Sequence, residues 1–441
     1  MEKYADETYR DILNNLSIKQ LNKMQIEVIE KAAPLQNLML LSPTGSGKTL
    51  AFLIALLNKL NKNDAGVQAL VIAPSRELAL QIETVFRNMK TGFKISCLYG
   101  GHSVQTEKNS LSETPEVIVG TPGRLADHIN RGSFDLSTVK IVVLDEFDKS
   151  LQMGFHKELE VIFKALNGTQ QHLLTSATAI EELPSFLPFT EYASINYLQN
   201  SAPIKLDVKL VRTESTEKPE TLMRLVAGFN QEVCLVFCNH IDSVERLSAL
   251  LKRHNFEHGV FHGDLEQIDR EKNLIRFRGG ATNVLIATDL AARGLDIPEI
   301  RHIVHYQLPH QHESFLHRNG RTARMHATGQ AYLILANDEK LQPYMDTNME
   351  EITVHPQFKL PPAPAYVCLY ISAGKKEKIS KGDIAGLLTK KGGLQADEIG
   401  LITTLDHASY VSVKREVLTK LMAGIKDEKL KKQKVKIEVA K

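Results

Sequence analysis

Leu38-Met39-Leu40-Leu41-Ser42-Pro43-Thr44-Gly45-Ser46-Gly47-Lys48-Thr49 joins an apolar run to a glycine-containing turn ending in lysine and threonine, and Leu50-Ala51-Phe52 opens an apolar helix directly after it. Strand, glycine turn and helix in that order form the context a phosphate-binding loop requires. Backbone N–H groups and the helix N-terminus can cradle phosphate oxygens, Lys48 can reach the β- and γ-phosphates, and Thr49 can ligate Mg2+. Ser42 stands where the strict pattern has glycine. A plain strand-to-helix turn is the competing reading, and it leaves the flanks unexplained.

Around this stretch, short β-branched or leucine-rich runs alternate with helical segments: Leu38–Leu41, Ala69–Ile72, Ile95–Leu98, Val117–Val119, Ile141–Leu144 and His172–Leu174. Such alternation predicts an α/β architecture, a parallel sheet with helices on both faces. Each run ends in polar or glycine residues, where ligands bind in open α/β sheets. A second series, Cys234–Phe237, Gly259–Phe261, Val284–Ala287, His302–Tyr306 and Ala331–Leu335, predicts another such domain. Tyr197–Pro203, without a clear period, is the expected hinge. Pro356 and Pro361-Pro362-Ala363-Pro364 mark a second break, since proline continues neither a helix nor a central strand. Beyond it the order strand, helix, strand, strand, helix, strand predicts a small α+β module similar to an RRM. The expected domains are 1–197, 204–355 and 365–441.

A chain of 441 residues exceeds the roughly 250–300 at which a single core stops growing. Its net charge of +2 hides an asymmetry: from Ala365 to Lys441 there are 16 Lys+Arg against 9 Asp+Glu, +7, so the preceding part carries −5. Positive charge gathered in a terminal module points to a polyanion partner. Four scattered cysteines make no disulfide framework, and Cys234 and Cys238 share one side of a strand as core residues. The N-terminus lacks the basic-then-apolar order of a signal peptide. No apolar run approaches the ~18 residues needed to span a bilayer. A cytoplasmic protein is expected.

Asp145-Glu146-Phe147-Asp148 follows the Ile141–Leu144 run. A carboxylate at such a strand end can hold Mg2+, and an adjacent glutamate can orient and deprotonate the attacking water. Acidic turns are common, so the surrounding set matters. Ala73-Pro74-Ser75-Arg76-Glu77-Leu78-Ala79, Tyr99-Gly100-Gly101, Thr121-Pro122-Gly123-Arg124 and Ser176-Ala177-Thr178 each sit at the end of an expected strand. The second series adds His262-Gly263-Asp264 with Gln267 and Arg270, the run Ala287 to Ile297, and His317-Arg318-Asn319-Gly320-Arg321-Thr322-Ala323-Arg324. Together, from Leu16 to Leu335, these resemble the DEAD-box RNA helicases of superfamily 2.

That resemblance implies two tandem RecA-like domains, ATP and Mg2+ as cofactors, RNA as partner and no membrane. Gln25 would recognise adenine, with Tyr4 or Tyr9 as the upstream aromatic. Ser42, Thr44, Gly45, Ser46, Gly47, Lys48 and Thr49 would hold the nucleotide, Thr49 and Asp145 the metal, and Glu146 would activate water. Ser176 and Thr178 would couple hydrolysis to strand separation, Asp296 would contact the ribose, and Arg321 and Arg324 would act as arginine fingers. Arg76, Gly101, Thr121, Arg124, Gly263, Arg270 and Thr288 match positions holding a single-stranded RNA backbone. Backbone contact carries little sequence preference, while 2′-hydroxyls select RNA over DNA. Phe147, Asn319 and Ala323 depart from the family pattern without removing a charged group.

Asn61-Lys62-Asn63-Asp64 spells a guanine-specificity tetrad but follows a helix instead of a late strand, and reads as a solvated loop. Among the histidines from His302 to His317, His302 and His305 face opposite sides of a strand, against zinc. The terminal module resembles the RNA-binding domain of DbpA-type helicases. Tyr366, Tyr370 and Tyr410 read equally as stacking or packing rings, and Lys375, Lys376, Lys378, Lys381, Lys390 and Lys391 as phosphate contacts. The expected activity is ATP-dependent RNA unwinding or ribonucleoprotein remodelling, ribosomal by analogy, with a non-unwinding ATP-dependent RNA clamp or assembly chaperone as the alternative.

Overall fold

A computed structural model describes residues 8–34, 36–43, 45–101, 107, 111–166, 171–180, 182–198, 206–289, 300–322, 329–354, 361–426, 428–431 and 433–440. The first unit holds seven strands: β1 (Leu38–Leu41), β2 (Ala69–Ile72), β3 (Ile95–Leu98), β4 (Val117–Gly120), β5 (Ile141–Leu144), β6 (Gln171–Ser176) and β7 (Ala193–Asn196). They lie in the order β3-β4-β2-β5-β6-β1-β7. Their pairings are parallel. Alternation distributes the side chains: Leu38, Leu40, Val71 and Val143 enter one core, and Met39, Leu70, Ile72 and Val142 the other. Both faces being covered, the strands read as continuous apolar runs.

The second unit repeats the scheme with β8 (Leu206–Thr213), β9 (Cys234–Cys238), β10 (Gly259–Phe261), β11 (Val284–Thr288), β12 (His302–His305), β13 (Gly329–Ala336) and β14 (Glu350–Glu351), in the order β10-β11-β9-β12-β13-β8-β14. Cys234 and Cys238 are buried on one face as free thiols. The same unit carries the terminal module, an antiparallel sheet of β15 (Tyr366–Ile371), β16 (Ile399–Thr404), β17 (Ser409–Lys414) and β18 (Ile437–Val439) in the order β16-β17-β15-β18. Helices Lys381–Lys390 and Leu418–Ile425 cover one face of it, closing a core of Leu369, Ile371, Ile384, Leu388, Val411, Val413 and Leu421.

Three strands are absent from the sequence reading. β7 and the two-residue β14 are edge strands with mostly exposed side chains, and β8 alternates charged with apolar residues. None has the unbroken apolar run that marks a strand covered on both faces. The expected hinge lies almost wholly outside the described residues, as does Pro356.

Candidate ATP site and RNA surfaces

The strand order sorts the motifs of the first unit into two halves. The phosphate loop follows β1, the acidic turn follows β5 and Ser176 ends β6, and these three strands are neighbours. Arg76, Gly101 and Thr121-Arg124 follow β2, β3 and β4, which are neighbours on the other side of β5. Thus the nucleotide motifs and the backbone-binding motifs occupy adjacent halves of one carboxyl edge.

In the loop, Gly45 and Gly47 adopt φ of 79° and 90°, the left-handed region that favours glycine. Gly47 caps the helix Lys48–Leu57. The Lys48 ammonium is buried and donates to the carbonyls of Ser42 and Pro43 at 2.6 and 2.9 Å. Burial depresses its pKa, against the opposing pull of Asp145 and Glu146. The Ser42 hydroxyl bonds that of Ser46 at 2.8 Å, so the residue in place of glycine braces the loop. Thr44 lies outside the described residues.

Gln25 sits in the first turn of Lys23–Ala32 and closes a capping box with Asn22. Its Oε1 accepts from the Asn22 N–H at 2.8 Å, its Nε2 donates to the Gly47 carbonyl at 3.2 Å, and Asn22 Nδ2 donates to the Ser46 carbonyl at 3.0 Å. This side chain, expected at the base, is therefore bonded to the phosphate loop itself. Tyr9 packs on the adjacent core and its hydroxyl accepts from Asn58, while Tyr4 is outside the described residues.

Asp145 and Glu146 are both buried. Glu146 has φ 50° and ψ 50°, a left-handed conformation that costs a non-glycine residue energy and concentrates at functional sites. Thr175, which sequence reading passed over, holds this turn: its hydroxyl donates to Asp145 Oδ1 at 2.5 Å and accepts from the Glu146 N–H at 3.1 Å. The signal was its position, one residue before Ser176. Thr178 Oγ1 donates to Asp148 Oδ2 at 2.8 Å, and Ser176 Oγ donates to the Thr178 carbonyl. Ser176 and Thr178 are thereby wired to the acidic turn. Phe147 is buried in the core, a packing position.

Burial, followed by the neighbouring Glu146, raises the Asp145 pKa to about 6, against the Thr175 hydrogen bond and the Lys48 charge. The Asp145 carboxylate and the Thr49 hydroxyl are oxygen donors, the kind a hard cation such as Mg2+ takes. Bound there, the ion would neutralise charge on the phosphates.

Among the backbone-binding candidates, Arg124 Nε donates to the buried Glu107 carboxylate at 2.6 Å, and Glu107 also bonds His128. Gly100 lets the Arg76 guanidinium lie close, since a Cβ there would be 3.3 Å from Nη2. Gly101 is exposed at φ 103°, and Thr121 caps the helix Pro122–Asn130.

In the second unit, Gly263 follows β10 and Thr288 ends β11, its neighbour. Arg270, on the helix Gln267–Arg278, lies 5.2 Å over the Phe261 ring. A Cβ on Gly263 would meet nothing within 4 Å, so the protein's own packing does not demand glycine there. The helix His312–Asn319 ends inside the arginine run and carries its Arg318. Arg318 is fully buried, donating to the Gln307 carbonyl at 2.6 Å, Asn239 Oδ1 at 2.7 Å and Asp289 Oδ2 at 2.8 Å, and stacks 5.1 Å over Phe237. It anchors the helix whose end presents Arg321, also buried. Asn319 fills its departure usefully: Oδ1 pairs with His305 Nε2 at 2.9 Å in the core. Asp296, Arg324 and Ala323 lie outside the described residues. The tetrad Asn61 to Asp64 is a loop, with Asn61 bonded to Asp64 and Asp64 paired to Lys140.

A phosphate loop and buried acidic turn in one parallel-sheet domain, followed by a second such domain with an anchored arginine helix, define a nucleoside triphosphatase of the two-domain type. Comparison with known proteins gives the family. The DEAD/DEAH box helicase family matches residues 22–186, the helicase conserved C-terminal domain residues 217–326 and the DbpA RNA binding domain residues 368–439. ATP-dependent RNA helicase DbpA of Escherichia coli (strain K12) is 32% identical over 442 residues, covering 97% of this chain and 96% of its own. Its namesake in Bacillus subtilis (strain 168) is 31% identical over 468 residues, with the same coverage, 97% and 96%. The structure of S. cerevisiae Dbp5 bound to RNA and ADP BeF3 superposes with a TM-score of 0.68 at 26% identity, over 78% of this chain and 93% of that one. The chain belongs to the DEAD-box ATP-dependent RNA helicases, with a DbpA-type RNA-binding domain at its end.

Proposed function

We propose that the protein is an RNA-stimulated ATPase that disrupts short RNA duplexes or remodels RNA–protein complexes, and that its terminal domain tethers it to ribosomal RNA during ribosome assembly. The domains responsible are 1–197, 204–355 and 365–441. Four free thiols, three of them buried, fit a reducing compartment, and we place the protein in the cytoplasm. The observation that carries the reading is the division of the first sheet, phosphate motifs after β1, β5 and β6 and backbone motifs after β2, β3 and β4, meeting where β2 pairs with β5.

Lys48 exchanges its loop carbonyls for phosphate oxygens, and Thr49 and Asp145 would hold Mg2+, which would neutralise phosphate charge when bound. Glu146, fixed by its backbone and Thr175, orients the attacking water and takes its proton. Gln25, bonded to Gly47, links base recognition to the loop, and Asp296 holds the ribose. Arg321 and Arg324 complete the charge stabilisation from the second domain. Arg76, Gly101, Thr121 and Arg124 with Gly263, Arg270 and Thr288 grip an RNA strand, so that RNA and ATP close the domains together.

Displacement of a labelled strand from an RNA duplex tests this. Glu146→Gln should lose turnover about 10²- to 10⁴-fold, the scale of a general base, and stop strand release while RNA binding persists. Strand release at the normal rate by this variant would overturn the mechanism. A native protein that grips RNA with ATP yet releases no strand would favour the clamp.

A further inference from the structure

Glu107 belongs to none of the motifs read from the sequence, yet the turns that carry Gly101 and Arg124 both fasten to it. It is 5% exposed, and its two carboxylate oxygens are divided between those turns. Oε1 accepts the Tyr99 N–H at 3.1 Å, and Tyr99 follows β3 and opens the turn Tyr99-Gly100-Gly101. Oε2 accepts from Arg124 Nε at 2.6 Å and lies 2.8 Å from His128 Nε2, both on the helix Pro122–Asn130 that follows β4. The strand ends beneath are closed as well. The Thr121 N–H donates to the Leu98 carbonyl at 3.0 Å, and a Cβ on Gly120 would fall 2.5 Å from that same oxygen. Gly100 in turn lies against the Arg76 guanidinium. One carboxylate thus joins the turns after β3 and β4, and the first of these touches the arginine after β2.

We infer that Glu107 is the positioning residue of the first domain's RNA grip: it holds Arg124 by the inner guanidinium nitrogen and fixes it against the Gly100-Gly101 turn, so that both meet one stretch of RNA backbone. The inference rests on the proposed function, which places RNA at Arg124 and Gly101. The chemistry calls for a carboxylate. Ionised, it accepts at both oxygens, whereas an amide offers one acceptor and one donor group. Glutamine at 107 serves Tyr99 or Arg124 but not both, and the remaining N–H then faces the amide NH2. The chemistry equally calls for arginine at 124, since a lysine ammonium has no planar fork with which to bond Glu107 by one nitrogen and a phosphate by others. Charge alone is not what Arg124 contributes. Two carboxylates flank its guanidinium, Glu107 and also Asp127, whose Oδ2 is 3.7 Å from Nη1. Arg124 reaches RNA as an aimed donor with its charge already offset, and Glu107 supplies the aim.

A double-mutant cycle in the full-length chain tests this, read as the affinity for a short fluorescent oligouridine in the presence of a non-hydrolysable ATP analogue. Arg124→Ala should weaken binding about tenfold, the scale of one charge-assisted hydrogen bond. Glu107→Gln should cost a similar factor in the native chain and less than twofold in the Arg124→Ala background, because its effect runs through Arg124. Arg124→Lys, at a side chain 14% exposed, keeps the charge and should bind as poorly as Arg124→Ala. A Glu107→Gln loss that persists in full without Arg124 would show a purely structural role and overturn the inference. Native affinity in folded Glu107→Gln would overturn it too. If Glu107→Gln does not fold, Arg124→Lys still decides, since native affinity there would show that charge suffices without aim. Native affinity in Arg124→Ala would remove RNA from this turn altogether, the failure then lying in the proposed function.

Discussion

Buried polar side chains do much of the positioning, each by a different means. Thr175 supplies both a donor to Asp145 and an acceptor to the Glu146 N–H, which holds a left-handed glutamate where water activation is proposed. Asn319 departs from the family pattern because His305 beneath it needs an acceptor. Burial, then the Arg318 charge, drives the His305 pKa to about 3, and burial drives His172 to about 4, both from an ordinary 6.5. Each histidine is neutral in the fold, so between pH 4 and 6.5 the unfolded chain binds protons the folded chain refuses. Their stabilisation is complete above pH 6.5 and is lost as pH falls towards 4, at up to about 1.4 kcal/mol per pH unit for each. Urea unfolding at about pH 7 and pH 5 should show this loss, and His172→Gln should reduce the slope by one proton. A pH-independent stability, or an unchanged slope in the variant, would refute the assignment.

Elements explain what the sequence made legible. Strands with both faces covered by helices were readable as apolar runs, and β1, β2, β3, β5 and β10 have the expected bounds. β7, β8 and β14 were not: the edge strands β7 and β14 and the charge-alternating β8 carry mixed residues in place of an apolar run. Within the site, residue types gave Lys48, Asp145 and Glu146, but only packing reveals Thr175, Glu107 or the bond from Gln25 to the loop. No spacing rule connects Gln25 with Gly47, 22 positions apart. The loop's geometry makes that bond testable. Gly47→Ala places a methyl 2.5 Å from Gln25 Nε2 at a φ of 90°, a strain of roughly 1–3 kcal/mol. ATP affinity should fall about tenfold, since 1.4 kcal/mol is a factor of ten. Gly386→Ala, where an added methyl meets nothing within 4 Å, should leave it unchanged. Equal ATP affinities in the two variants would sever Gln25 from nucleotide binding.

At the scale of the whole molecule, charge and topology divide the labour. Net positive charge is concentrated in the terminal module, while the preceding 364 residues carry a net negative balance, and under the proposed function RNA is gripped there by placed side chains at strand ends. In the proposed mechanism, hydrolysis requires Arg321 of the second domain to act on phosphates held by the first, with RNA driving closure. Single-turnover ATP hydrolysis at saturating ATP, with and without single-stranded RNA, tests it for the native protein and Arg321→Ala. RNA should accelerate the native reaction, and the variant should lose about 10³-fold or more, the scale of an arginine finger, with ATP still bound. Full native activity without RNA, or undiminished RNA-stimulated hydrolysis by Arg321→Ala, would contradict the account.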